Sequence, residues 1–167
     1  RSIGALRIIG QAKHREPYAQ LLPASHIVPF DDLDAARAAV DSNTAAFVVE
    51  PVQGEGGVNV PRDGYLAGLR EICDAQGALL IFDEVQTGIG RLGTRLGYQH
   101  ENVEPDIVTL GKGLGGGFPV AAFLCNEGVA ETVQLGDHGT TYGGNALACA
   151  AANAVLRIVA EEELDKR

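Results

Sequence analysis

The stretch Asp106-Ile107-Val108-Thr109-Leu110-Gly111-Lys112-Gly113-Leu114-Gly115-Gly116-Gly117 runs from a buried strand into a lysine set among glycines. Asp106 to Leu110 is rich in β-branched and aliphatic residues and lies between Pro105 and Gly111, the pattern of a short buried strand. A second apolar run, Val120 to Cys125, follows after a link too short for a parallel crossover, which takes a dozen or more residues. These two strands are therefore expected to pair antiparallel. Glycines let backbone approach a ligand closely, so a lysine delivered at a strand end beside so little bulk can reach a bound group. Lys13 lies in a polar N-terminal stretch and Lys166 in the charged C-terminal tail. If one lysine performs covalent chemistry, it is Lys112.

Outward from this stretch, strands and helices alternate. Ala78 to Phe82 reads as a strand ended by Asp83-Glu84, and Ala45 to Val49 as one ended by Glu50-Pro51. A helix from Asp63-Gly64 to about Gln76 carries Leu66, Leu69, Ile72 and Cys73 at helical spacing, with Gly77 as its stop. Asp31-Asp32 caps another helix through about Val40. Residues 1–30 are weakly patterned: an apolar piece from Ile3 to Ile9, a polar loop, Leu21-Leu22-Pro23, and a short strand at His26 to Val28. A long alanine-rich helix opens near Asn145, apolar almost all round and so expected to be buried. The alternation predicts an α/β fold with a mostly parallel sheet, one antiparallel strand and helices on both faces. Ligands of such sheets bind outside the carboxyl ends of the strands, where Glu50, Asp83 and Lys112 fall.

Composition narrows the function. A net charge of -9 argues against nucleic-acid binding, which favours basic surfaces. The sequence shows no apolar run of membrane-spanning length and no signal-peptide pattern. Cys73, Cys125 and Cys149 read as buried free thiols of a reducing compartment, neither disulfides nor zinc ligands, which points to the cytoplasm. The chain has no methionine and opens and closes in mid-pattern, so residues 1–167 are expected to be one piece of a longer protein. Two nucleotide motifs fail. A Walker A loop would need glycine where Asp106 stands and serine or threonine where Gly113 stands. GxGxxG matches at Gly111, Gly113, Gly116 and at Gly88, Gly90, Gly93, but neither opens a helix.

A lysine amine beside an acid suits Schiff-base chemistry with a carbonyl compound. Pyridoxal phosphate asks for such a lysine, a carboxylate on its ring nitrogen and donors for its phosphate. Asp83 suits the second role. Gln86 can donate to the ring's phenolic oxygen and Val85 can pack on the ring face. Thr140 and Thr141, ahead of a helix start, form a natural phosphate cradle. Each has a plainer reading, since strand-end aspartates often cap turns, threonines before a helix often cap it, and a lone lysine usually sits in a solvated turn. Their joint presence favours the cofactor.

Glu50-Pro51-Val52-Gln53-Gly54-Glu55-Gly56-Gly57, Phe82 to Arg91, Gly111 to Gly117 and His138 to Asn145 together resemble the class III pyridoxal-phosphate aminotransferases, most closely the acetylornithine/ornithine branch. The resemblance implies fold type I, with residues 1–167 forming the later part of the large, cofactor-binding domain. It makes Lys112 the Schiff-base lysine, Asp83 the partner of the ring nitrogen and Gln86 the contact to the phenolic oxygen. Thr141 matches a threonine that reaches the neighbouring subunit's cofactor phosphate, which implies a homodimer with shared sites. Glu55 matches a glutamate that pairs with an arginine and gates which substrate carboxylate that arginine binds, and Glu50 supports the site from its edge. Alanine at position 146 and glycine at 111 depart mildly from the family pattern. The implied reaction is transfer of an amino group from N-acetylornithine to 2-oxoglutarate, as in arginine biosynthesis. Ornithine, succinylornithine and 4-aminobutyrate remain alternative donors. A pyridoxal-phosphate isomerase or decarboxylase on the same scaffold, and a non-catalytic nucleotide-binding α/β domain, are the rivals.

Overall fold

The computed structural model describes residues 2–21 and 25–167. Arg1 and the Leu22-Pro23 pair noted above lie outside it. In chain order the elements are α1 (Ile3–Ile8), α2 (Ala12–Arg15), α3 (Leu33–Ala39), β1 (Ala46–Val49), α4 (Tyr65–Gln76), β2 (Leu79–Asp83), β3 (Ile107–Leu110), β4 (Ala122–Cys125), α5 (Glu127–Ala130) and α6 (Ala146–Glu161). One sheet has the order β1-β2-β3-β4. β1, β2 and β3 run parallel, and β4 returns antiparallel to β3 with Leu110 opposite Ala122. The expected strand arrangement is the observed one.

Alternation along the strands sorts their side chains. Val49, Phe82 and Val108 stand in register on one face, as do Leu80 and its neighbour Phe47. That face is closed by α4, whose Tyr65, Leu66, Leu69, Ile72 and Cys73 are buried against Val49, Leu80 and Phe82. Fully burying side chains of this size contributes roughly 1.5–3 kcal/mol each. Gly77 ends α4 with φ 70°, and the Ala78 N–H returns to the Cys73 carbonyl at 3.0 Å, a Schellman-type closure. α3 is capped by Asp32, whose carboxylate accepts the Ala35 N–H at 2.9 Å, and its Leu33 lies over Gly68 of α4. A second cluster, Val108, Leu110 and Leu114, receives Ala152 of α6. The opposite face, with Ile81, Asp83, Ile107 and Thr109, is half-buried.

Asp106, just ahead of β3, ties the amino ends of the strands together. Its carboxylate accepts the Leu80 N–H at 2.7 Å, Arg70 Nη1 of α4 at 2.8 Å and Asn126 Nδ2 at 2.8 Å. Burial alone would raise this carboxyl, but those three donors and the guanidinium charge outweigh it and hold it below its ordinary value. The Cys73 thiol, buried in the core, is pushed up to about 11 by loss of solvent.

Several sequence expectations need correction. His26 to Val28 forms no strand. A strand needs a neighbour within hydrogen-bonding reach, and a cavity of about 550 Å³ lies between this segment and β1. Ile3 to Ile8, read only as an apolar piece, is a helix capped by Ser2, whose hydroxyl accepts the Ala5 N–H. α6 is not buried all round. Ala148 is buried and Val155 packs over Gly116, but Leu147 is 66% exposed and Leu156 and Ile158 are also exposed. Its small residues make the close approach, and no described element lies against its remaining faces. Of the cysteines only Cys73 is buried; Cys125 is intermediate, on the outermost strand of the sheet, and Cys149 is exposed on α6. β4 itself is largely exposed, with Phe123 at 50%, because it is an edge strand.

Candidate active site

The three parallel strands end on one edge, and that edge carries Glu50, Asp83 and Lys112. Each is placed by a short local device. Glu50 follows β1, and its Oε2 accepts the Gly54 N–H at 3.1 Å, folding the chain into a tight turn. Beyond it, Gln53 and Asn59 pair across a small hairpin whose tip holds Glu55, exposed and without an ion pair among the described residues. Asp83 is the last residue of β2. Its Oδ1 accepts the Val85 N–H at 3.0 Å and the hydroxyl of Thr109, its cross-strand partner on β3, at 3.2 Å. Its Oδ2 accepts no hydrogen bond among the described residues.

Lys112 is exposed and has φ 42°, a left-handed conformation that costs a non-glycine residue roughly 1–3 kcal/mol and marks functional sites. Its Nζ donates to Gln86 Oε1. Gln86 is held in turn from the β1 side. A Cβ built on Gly54 would lie 2.4 Å from Gln86 Cγ, so only glycine lets the Glu50 turn press on that side chain. Val85 stands beside Gly111, 3.4 Å from where a Cβ would be. Glu50, Gly54, Gln86 and Lys112 thus form one continuous chain of contacts across the strand ends, with Asp83 beside it.

Thr140 and Thr141 are not drawn into that chain. Both are exposed in the turn before α6 and make no hydrogen bond among the described residues. The helix start is capped instead by Asn145, whose side chain accepts the Ala148 N–H at 2.9 Å and donates to the Tyr142 carbonyl at 2.8 Å. His138 of the same segment packs on Phe123 of β4, with ring centroids 5.7 Å apart.

Two residues at this edge escaped the sequence reading. Thr109 could have been found from alternation, since it faces the same way as Asp83 on the neighbouring strand. Glu84 is the larger omission. It is 1% exposed and accepts three hydrogen bonds, from Thr87 Oγ1 at 2.9 Å, Gly97 N at 2.7 Å and Tyr98 N at 2.8 Å. Burial raises the Tyr98 phenol, and the charges of Glu104 and Glu84 add to the shift. The available signal was the Asp83-Glu84 pair itself, because neighbouring residues at a strand end face opposite sides.

A mixed sheet of three parallel strands and one antiparallel strand, with helices packed on it, is the arrangement of fold type I aminotransferases. The chain belongs to the class III aminotransferase family, whose model, described as aminotransferase class-III, matches residues 5–167. It is 52% identical over 164 residues to the acetylornithine aminotransferase of Methanopyrus kandleri, covering 98% of this chain and 42% of that protein. It is 49% identical to the acetylornithine aminotransferase of Mycobacterium leprae over 100% of this chain and 41% of the relative. Among solved structures, the ornithine aminotransferase of Toxoplasma gondii superimposes with a TM-score of 0.92 at 41% identity, covering 99% of this chain and 40% of that one. The chain therefore spans about two-fifths of the length of the relatives it matches. Among the described residues, no helix is long and apolar enough to cross a membrane.

Proposed function

We propose that residues 1–167 are the later part of the large domain of a pyridoxal-phosphate aminotransferase that moves an amino group from N-acetylornithine, or a related ω-amino donor, to 2-oxoglutarate. The observation that carries this reading is the meeting of Lys112 Nζ with Gln86 at the edge where Asp83 keeps one oxygen free. Those residues fit the cofactor. The unfilled Asp83 Oδ2 can accept from a protonated ring nitrogen, Gln86 can reach a phenolic oxygen, and Val85 lines the ring's side of the turn. When bound, pyridoxal phosphate supplies an aldehyde for amine capture and a ring that accepts electrons from the donor's reacting carbon.

The chain's own groups do the rest. Lys112 Nζ holds the proton that is taken from the donor carbon and returned during transfer, acting as general base and then acid. Asp83, oriented by Val85 and Thr109, keeps a negative oxygen fixed where a cationic ring nitrogen needs it. Glu50 shapes the edge through Gly54, and Glu55, free at the hairpin tip, is placed to pair with an arginine from elsewhere in the protein and so to sort donors by their carboxylates. Thr140 and Thr141, exposed on the described chain, suit a phosphate contact made across a homodimer interface, and Thr141 is the one assigned to the partner's cofactor. The names of the relatives support acetylornithine as donor and, with it, arginine biosynthesis. The free thiols of Cys73, Cys125 and Cys149 support a reducing compartment such as the cytoplasm.

The test is glutamate formation from 2-oxoglutarate by the full-length protein with N-acetylornithine, ornithine, succinylornithine and 4-aminobutyrate in turn. N-acetylornithine should give the highest kcat/KM. A product that retains its amino group, with no glutamate released, would instead indicate an isomerase. Borohydride trapping of cofactor followed by peptide mapping should place the label on Lys112.

A further inference from the structure

The buried carboxylate of Glu84 stands behind the edge that carries Lys112 and Asp83 and takes no part in the chemistry proposed for them. Glu84 points into the closed side of the sheet, and its two oxygens gather donors from a single long excursion of the chain, residues 87–98. Oε2 takes the Thr87 hydroxyl and the Gly97 amide, and Oε1 takes the Tyr98 amide. The loop is fitted to this carboxylate at close range. A Cβ at Gly97 would stand 3.2 Å from Glu84 Oε2 and 2.9 Å from Leu92, and one at Gly88 would stand 2.9 Å from the Glu84 carbonyl oxygen. Thr87 is itself 2% exposed. The Tyr98 ring, fixed by its amide, packs on Phe82 with centroids 6.0 Å apart. Both ends of the loop are thus tied to one side chain, and that side chain is anchored in the core.

The start of this loop meets Lys112. Gln86, which receives the Lys112 amine, precedes Thr87 directly. Ile89 is held at φ 55°, a rare conformation for a β-branched residue, and lies 3.6 Å from where a Cβ on Gly113 would be. We propose that Glu84 is the positioning residue for Lys112: by closing the 87–98 loop it fixes Gln86 and Ile89 against the lysine turn and so sets where Nζ is held. It touches no reacting atom and acts through Thr87 and the Gly97 and Tyr98 amides. The inference concerns the lysine that the proposed function makes central, yet it is tested without cofactor or substrate, so the two can fail separately.

The measurement is the rate of acetylation of Lys112 by acetic anhydride in the cofactor-free full-length protein, read by peptide mass mapping and divided by the rate at exposed Lys13. Cys73, buried in the core, serves in the same sample as the reporter of unfolding through its reaction with iodoacetamide. In Glu84→Gln the amide oxygen can take the place of Oε2 and keep Thr87 and Gly97, but its NH2 group then faces the Tyr98 amide, which loses its acceptor. Losing that hold should raise the Lys112 ratio about fivefold, the equivalent of one hydrogen bond, while Cys73 stays protected. An unchanged ratio with Cys73 protected overturns the proposal. If Glu84→Gln exposes Cys73, the ratio is read on Thr87→Val, which removes a single donor at nearly constant volume. There a rise supports the proposal and an unchanged ratio overturns it. Glu84→Asp, which keeps the charge but shortens the reach, should fall between wild type and Glu84→Gln.

Discussion

Asp83 and Glu84 are consecutive carboxylates at the end of one strand, yet the two sides of the sheet use them in opposite ways. On the closed side Glu84 is buried and both of its oxygens are engaged, by three donors in all. On the open side Asp83 spends one oxygen on Val85 and Thr109 and leaves the other without a partner among the described residues. Residue type does not separate the two roles; the direction in which the strand turns each side chain does. A buried carboxylate with both oxygens engaged holds structure, whereas an oxygen kept unfilled at an accessible edge is available to a ligand.

On this division, substitutions on the open side should change chemistry directly, and those on the closed side should change stability or reach the chemistry only by loosening the loop that Glu84 closes. The largest effect is expected at Lys112. Lys112→Ala should lower amino transfer by about 10⁴-fold, the upper range for losing a general base, with the urea midpoint moved by no more than about 0.5 kcal/mol equivalent. A large loss of stability there would mean that the open side also carries the fold. Phe82→Ala makes the converse test. Fully buried between α4 and Tyr98, it should cost about 3–5 kcal/mol in urea unfolding. Next is Asp83→Asn, which keeps the shape and the Val85 contact but removes the charge. Turnover should fall about 10²-fold at saturating cofactor, while unfolding shifts by less than about 1 kcal/mol. Near-normal turnover would remove Asp83 from its assigned role.

The smallest effect sharpens the comparison at the far end of the same strands. Asp106 stands opposite Leu80 on the closed side, and its carboxyl is held below the ordinary 3.8. Because its folded value lies below the unfolded one, the stability it contributes is fully present above the unfolded value and is lost as pH falls through the folded value. Asp106→Asn should therefore cost about 1–3 kcal/mol at neutral pH. Its unfolding free energy should converge on that of the wild type as pH drops below 3.8, a comparison made by urea titration at each pH. Kcat at neutral pH should stay unchanged.

The parts of this fold that were legible in the sequence are those set by local pattern. The apolar runs of β1, β2 and β3, the helical spacing in α4 with its Gly77 stop, and the short β3–β4 link each announced their geometry. Glu50, Asp83 and Lys112 followed, because parallel strands put their ends on one edge. The failures came where distant partners decide. His26 to Val28 had strand-like residues but no neighbouring strand to pair with. The apolar surface of α6 says that something should cover it, not that a described element does. Glu84 was illegible for a related reason. Two of its three partners are backbone amides thirteen and fourteen residues away, and a backbone amide leaves no mark in the sequence.

The antiparallel return of β4 also bears on timing. Residues 111–121 leave β3 at Leu110 and re-enter the sheet at Ala122, directly opposite. Both ends of the Lys112 segment are thus fixed in one ladder, and displacing those ends means breaking strand pairing, which belongs to the slow, cooperative class of motions. Between those anchors the lysine keeps the rapid swing of its own side chain. The hairpin around Glu55 and the turn before α6 are exposed and lie outside that ladder, so their motions need not wait on it.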